Sequence, residues 1–246
     1  MKITNYSLTC SVVCFSFVVY IYHYHKLIDM HIKNKNIASL RTDYTLQHLD
    51  EKTVANHPIV QFETWLKQAI DKEVMEPTAM VLSTVNETGQ PSSRVVLLKD
   101  IQEEFFYFFT NYESKKGREI TRNSNVSLLF FWPELQRQVR IQGIAEKTDA
   151  RISDEYFASR PKESRIGAIS SPQSCTIKNR KELENKITQK HKELEQEENI
   201  RRPEYWGGYR VGAYYIEFWQ GGANRLHDRI VFEQKEGKWE KYRIAP

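Results

Sequence analysis

"FWQGGANRLHDRIVF", residues 218–232, sets Arg225, His227 and Arg229 at every second position, behind a glycine pair and ahead of the apolar run Ile230-Val231-Phe232. Side chains of a strand alternate between its two faces, so a strand reading puts three cationic or potentially cationic groups on one face. Like charges stacked that closely repel unless an anion lies among them. Leu226 and Asp228 would share the opposite face, so amphipathic burial does not account for the pattern, and the glycines permit close backbone approach. An exposed charged strand and an anion site both remain open on these residues alone.

Working outward, the surrounding sequence is rich in strands. "RVGAYYIEFWQGG", "RLHDRIVFEQ" and "KWEKYRIAP" read as strand, strand, glycine turn, strand. Upstream, "AMVLSTV" and "SSRVVLLKD" flank the turn "NETGQP" as a hairpin, with Gly89 free for a left-handed turn position. "EFFYFFTN" and "VSLLFFW" are continuous apolar runs of strand length, and "RQVRIQGIAEKT" alternates Val139 and Ile141 with Arg140 and Gln142. Helical patterns separate them. Pro58 opens "IVQFETWLKQAIDK", where Ile59, Phe62, Leu66 and Ile70 recur at helical spacing. "ESKKGREITRN" reads as a short helix, a further helical stretch runs from Asp149 to Phe157, and "KNRKELENKITQKHKELEQEE" is a charged helix with a solvated face. The pattern predicts one domain from about residue 40 onward, a mainly β, Greek-key-like barrel flanked by helices.

Composition narrows the function classes. The chain has 246 residues, 40% of them hydrophobic, enough for one sizeable core. Its net charge of +4, from 36 basic and 32 acidic residues, is too modest for a general nucleic-acid binder. Cys10, Cys14 and Cys175 lack metal-type spacing and suit a reducing compartment. Residues 1–29 form a hydrophobic extension in which Ile3 to Tyr24 carries no Lys, Arg, Asp or Glu. Its length is near the roughly 20 residues that span a bilayer. It reads either as a signal anchor or as a gene-model extension upstream of Met30. Residues 30–57 are a polar arm. No glycine-rich dinucleotide turn, Walker-type loop or GxSxG elbow occurs, so any phosphate is held by side chains and strand backbones.

Three other groupings stand out. In "RVVLLKD", Arg94 and Lys99 bracket four apolar residues and fall on opposite faces of a straight strand; charged strand ends and two contacts to one large anion are both compatible. In "YFASRPKES", Tyr156, Arg160 and Ser164 recur at i, i+4, i+8, with Pro161 kinking the helix or starting a new turn. A phenol, a guanidinium fork and a hydroxyl suit phosphate. Lys115 and Lys116 before Gly117 fit a phosphate site at a helix start or a polar turn.

Together these stretches resemble the pyridoxamine 5'-phosphate oxidase family. The matching segments are "LRTDY", "RVVLLKD", "FFTNYESKKG", "RQVRIQG", "YFASRPKESRIGA", "SPQSC", "WGGYR", "EFWQGGANRLHDRIVF" and the terminal "RIAP", in family order over about residues 40–246. The resemblance implies an FMN-binding split β-barrel, residues 58–246, with a C-terminal dimerisation region, forming a homodimer with FMN at the subunit interface. It implies that Arg94, Val95, Val96, Leu97, Phe109, Thr110, Lys115, Lys116, Gln138, Gln173, Ser174, Trp219 and Arg229 bind FMN. Lys99, Tyr156, Arg160 and Ser164 would hold the substrate phosphate. Arg225 and His227 would flank the substrate ring as catalytic groups, with Arg41 and Tyr44 of the arm closing over it.

The implied activity is FMN-dependent oxidation of pyridoxamine 5'-phosphate and pyridoxine 5'-phosphate to pyridoxal 5'-phosphate, with hydride transfer to FMN and reoxidation by O2 to H2O2. The protein would be cytoplasmic, without nucleic-acid or metal partners, touching a membrane only if the N-terminal segment is retained. The alternative is a non-catalytic split-barrel carrier or sensor of flavin or pyridoxal phosphate. Lys115 stands where the family commonly has Arg, which turns a bidentate fork into a point charge. Arg165 and Cys175 replace the common Gln and Ser.

Overall fold

A computed structural model describes residues 44–197 and 199–246; the hydrophobic extension and Arg41 lie outside the described residues. Nine strands form one antiparallel sheet. In chain order they are β1 Ala79–Val85, β2 Pro91–Leu97, β3 Asp100–Gln102, β4 Phe105–Asn111, β5 Asn125–Trp132, β6 Arg137–Lys147, β7 Trp206–Gln220, β8 Asp228–Lys235 and β9 Lys238–Arg243. The spatial order is β2-β1-β5-β6-β7-β4-β3, with β8 pairing both β7 and β9. The long strand β7 organises the sheet. Its first half pairs with β4 and its second half with β8, while β6 runs along its other edge. The register shifts between Gln142 and Gly143, where a Cβ on Gly143 would stand 2.5 Å from the carbonyl oxygen of Gly212. Only glycine lets the two strands approach there, and such a bulge adds bend and twist.

The predicted hairpin is present, with Gly89 at φ +83° and the Asn86 carboxamide oxygen accepting from the Thr88 and Gln90 amides. Both apolar runs are strands; β4 is largely buried, whereas β5 alternates in burial and leaves Phe131 53% exposed. Phe62, Phe106, Phe130, Trp132, Phe218 and Phe232 are fully buried and meet largely edge to face, Phe62 and Phe106 at 5.1 Å. Edge-to-face pairs of this kind add to the burial free energy.

Among the described residues, five helices flank the sheet: α1 Pro58–Asp71, α2 Lys115–Arg122, α3 Ala150–Ser159, α4 Lys162–Ser170 and α5 Arg180–Glu193. α1 begins at Pro58, whose missing N–H costs nothing in the first turn. Its buried stripe is Ile59, Phe62, Trp65 and Ala69. Ile70, expected on that stripe, is 52% exposed, because Trp65 and Ala69 draw the core-facing line one position earlier. α5 has no buried residue, as its charge pattern predicts. The described part of the arm, residues 44–57, has no helix or strand. It is tied to the C-terminal strands: the Leu49 amide donates to Asp228 Oδ2 at 2.9 Å, and Arg243 reaches Asp228, Glu51 and the Leu49 carbonyl. The fold is thus mainly β with flanking helices, a split barrel.

Candidate active site

A cleft of about 810 Å³ opens between β2, the end of β4, α2 and the α3–α4 junction. Arg94, Val95, Val96 and Leu97 supply one wall, with Lys99 beyond them. The strand ends at Leu97, so the straight-strand expectation that separated Arg94 from Lys99 fails. The chain bends before β3 and both cations line one cleft.

Phe109 and Thr110 come from β4, and Lys115 and Lys116 from the first turn of α2. Ser114 caps this helix, its side chain accepting from the Gly117 amide. Gly117 is required: a Cβ there would lie 2.0 Å from the Tyr112 carbonyl oxygen. The helix start therefore sits hard against the preceding turn and aims Lys116 inward. Lys116 is 8% exposed, and its ammonium donates to Thr110 Oγ1 at 3.0 Å, Ser114 Oγ at 3.2 Å and Gln173 Oε1 at 3.0 Å. Among the described residues no carboxylate forms an ion pair with it. Burial, with the nearby Arg94 charge, pushes its pKa down to about 8.

Arg94 is treated differently. It donates to the Leu82 carbonyl, Thr84 and Ser92 and pairs with Glu119 at 3.3 Å. Burial pushes the Glu119 carboxyl up, but hydrogen bonds from Thr84 and Ser92 and the Arg94 and Lys115 charges outweigh it, leaving it below the ordinary carboxylate range.

The opposite wall carries Tyr156, Arg160, Pro161 and Ser164. These do not lie on one kinked helix. α3 stops at Ser159, and Arg160 is extended at ψ 147°, the conformation a following proline favours; Pro161 then opens α4. Of the two alternatives at Pro161 the new turn is the one present, and two helix ends bring Tyr156, Arg160 and Ser164 together. Tyr156 stacks on Phe109 at 3.8 Å and lies parallel to Trp206. The Arg160 guanidinium sits 4.7 Å from the Trp206 ring centre, and its Nη1 is buried with no hydrogen-bond partner among the described residues. Burial holds its pKa below the usual guanidinium value. Gln173 and Ser174, the latter at φ +68°, complete the lining.

Tyr44, Gln138, Trp219, Arg225, His227 and Arg229 do not line this cleft. Most of them gather elsewhere. Gln138 pairs in register with Trp219, and Trp219 with Arg229, across β6, β7 and β8, so the three share one face of the sheet. Trp219 and Tyr44 pack against His227 at 4.7 and 5.8 Å. Tyr44 enters because residue 221 is glycine; a Cβ there would be 2.7 Å from its ring.

The single-face reading of Arg225, His227 and Arg229 fails. β8 starts only at Asp228, and residues 223–225 form a tight turn with Asn224 and Arg225 at positive φ. Arg225 is exposed. Arg229 already has its anion within the chain: Glu217, 1% exposed, accepts from Arg229 Nε at 2.8 Å and from Arg140 at 3.0 Å. His227 Nδ1 accepts from the Gly222 amide at 3.1 Å, and burial, then the Arg225 charge, lowers its pKa.

Several participants went unread in the sequence. Ser92, Ser93, Pro161 and Trp206 line the cleft. Glu119, four residues after Lys115 on α2, was detectable from helical spacing. Glu217, the one acid inside "AYYIEFW", was detectable as a charge in an apolar strand. Among the described residues there is no metal-type cluster and no helix long and apolar enough to cross a membrane.

Known proteins match this chain along most of its length. Residues 66–192 match the family profile described as pyridoxamine 5'-phosphate oxidase. Residues 206–246 match that of the pyridoxine 5'-phosphate oxidase C-terminal dimerisation region. A pyridoxine/pyridoxamine 5'-phosphate oxidase of Leptospira interrogans is 50% identical over 211 residues, covering 85% of this chain and 98% of the relative. Its counterpart in Synechocystis is 48% identical, covering 86% of this chain and 98% of that relative. The crystal structure of PhzG from Burkholderia lata 383, in complex with tetrahydrophenazine-1-carboxylic acid, superposes with a TM-score of 0.78. It is 27% identical and covers 83% of this chain and 100% of its own. The chain therefore belongs to the pyridoxine/pyridoxamine 5'-phosphate oxidase family.

Proposed function

We propose that the protein is an FMN-dependent oxidase that converts pyridoxamine 5'-phosphate and pyridoxine 5'-phosphate to pyridoxal 5'-phosphate. The observation that carries this is the pair of uncompensated cations in one cleft, the buried Lys116 without a carboxylate among the described residues and the half-buried Arg160 with a buried, orphaned Nη1. A buried charge is stable only when paired, and phosphate is the anion that fits an ammonium and a guanidinium fork. Two such groups beside a stacked aromatic wall suit two flat phosphorylated rings.

FMN, when bound, supplies the hydride acceptor and the reaction with O2 that yields H2O2. This chain's residues supply position and charge. Lys115, Lys116, Arg94, Thr110, Gln173 and Ser174 hold the flavin phosphate and its neighbouring polar atoms. Lys99, Tyr156, Arg160 and Ser164 hold the substrate phosphate, fixing the ring at a reactive distance. The second group, Tyr44, Gln138, Trp219, Arg225, His227 and Arg229, lies off this cleft, so the reading assigns it to the cleft of a partner subunit in a homodimer. The dimerisation-region match supports that assembly. There Arg225 and His227 would flank the substrate ring and stabilise charge as hydride departs.

The test is turnover. The full chain, loaded with FMN and given pyridoxamine 5'-phosphate, is expected to form aldehyde with matching oxygen uptake. A flavin-loaded preparation that forms none would refute the oxidase reading and leave the carrier reading standing.

A further inference from the structure

His227 sits in the tight connection between β7 and β8, and its ring is fixed from three sides. Trp219 and Tyr44 pack against it with their rings tilted by 45° and 59°. The Gly222 amide donates to Nδ1 at 3.1 Å. A Cβ on Gly222 would stand 2.3 Å from the Leu226 carbonyl oxygen, so a larger residue would push apart the two ends of the loop that make this bond. The turn is closed by the Leu226 amide on the Ala223 carbonyl at 3.0 Å. Neutral imidazole has one N–H and one bare nitrogen. With Nδ1 accepting, the proton resides on Nε2, since the partner of one nitrogen sets the state of the other.

The charges around the ring favour the neutral form. Arg225 on the same loop opposes a second positive charge. Asp228, next in sequence, is taken by the Leu49 amide and Arg243, with His48 of the arm at 3.5 Å. Arg229 is taken by Glu217. Among the described residues no carboxylate pairs with His227.

We propose that Gly222 is a positioning residue that fixes His227 as the Nε2–H tautomer, so that His227 serves the reaction as a hydrogen-bond donor to an electron-rich atom of the substrate ring and not as a proton-abstracting base. The inference rests on the oxidase reading for the identity of that ring, but its central observable is independent of turnover.

Nitrogen NMR of the FMN-loaded, histidine-labelled full chain, assigned with the His227→Gln variant, is expected to show a proton-bearing Nε2 and a bare, hydrogen-bonded Nδ1 at neutral pH. A bare Nε2 overturns the proposal. Kinetics provide the second arm. Glutamine places an amide donor where Nε2 lies, so His227→Gln is expected to keep kcat within about tenfold while His227→Leu loses far more. A general base contributes roughly 100-fold or more, so a glutamine variant as inactive as the leucine one also overturns it. Gly222→Ala, where it folds, is expected to release the ring and populate the Nδ1–H tautomer; an unchanged spectrum contradicts the positioning role. If the wild type forms no aldehyde, the oxidase reading fails while the tautomer result still stands or falls by itself.

Discussion

The Lys116 ammonium donates to the Gln173 side-chain oxygen at 3.0 Å, bridging the start of α2 to the loop after α4 across the floor of the cleft. The bond joins two segments far apart in sequence around a cation that pairs with no carboxylate among the described residues. Replacing Lys116 with Met is expected to act with opposite signs on two observables. The ligand-free protein melts higher, because an unpaired buried charge is removed. FMN binds about 10- to 100-fold more weakly, the range for losing a hydrogen bond to a charged group. Thermal melts and flavin fluorescence titration read the two effects.

The same residue sets a pH dependence. Lys116 has a folded pKa of about 8, below the ordinary lysine value near 10.4. Between those values the unfolded chain binds the extra proton, so ligand-free stability contributed by this group rises with pH in that window. Phosphate binding favours the charged ammonium. FMN affinity is therefore expected to be flat below pH 8 and to fall above it, by up to about tenfold per pH unit for one coupled proton. Parallel melts and titrations from pH 7 to 9.5 check the divergence.

Arg160 joins Trp206 and an unsatisfied Nη1 in one side chain. Arg160→Lys keeps the charge but loses the fork and the flat stacking surface. It is expected to raise KM for the phosphorylated substrate by about tenfold or more, the equivalent of one charge-assisted hydrogen bond, while the bound flavin spectrum is unchanged. Steady-state kinetics on the flavin-saturated variant measure this.

Glu217 holds Arg229 and Arg140 from a position 1% exposed to solvent. Glu217→Ala is expected to destabilise the fold by about 2 kcal/mol or more, because two guanidinium groups lose their buried partner. The exposed pair Lys67–Asp71 provides the contrast, Asp71→Ala costing no more than about 0.5 kcal/mol. Urea unfolding of both variants distinguishes them.

The strands were legible where burial alternates or is continuous. β6 shows the period of two that "RQVRIQG" announces, and the Phe-rich β4 lies in the core. Local signals also located the hairpin at Gly89. Three things were not legible. The turn at Asn224 and Arg225 depends on left-handed conformations in non-glycine residues, so the alternation of Arg225, His227 and Arg229 was misread as strand. Glu217 neutralises Arg229 from a neighbouring strand, and pairing register is not a local property of sequence. The clamp of Leu49, Glu51, Asp228 and Arg243 joins positions from opposite ends of the described chain. For the cleft, residue types pointed to phosphate, but the division of the named groups into a lining set and a set on β6, β7 and β8 emerged only in three dimensions.

If the cations of this cleft bind phosphorylated rings, the phosphate must supply much of the FMN affinity. The most direct measurement is equilibrium binding of FMN against riboflavin, which share the ring and differ in the phosphate. FMN is expected to bind about 100-fold tighter or more, the equivalent of at least two charge-assisted hydrogen bonds. Equal affinity for the two compounds would contradict it.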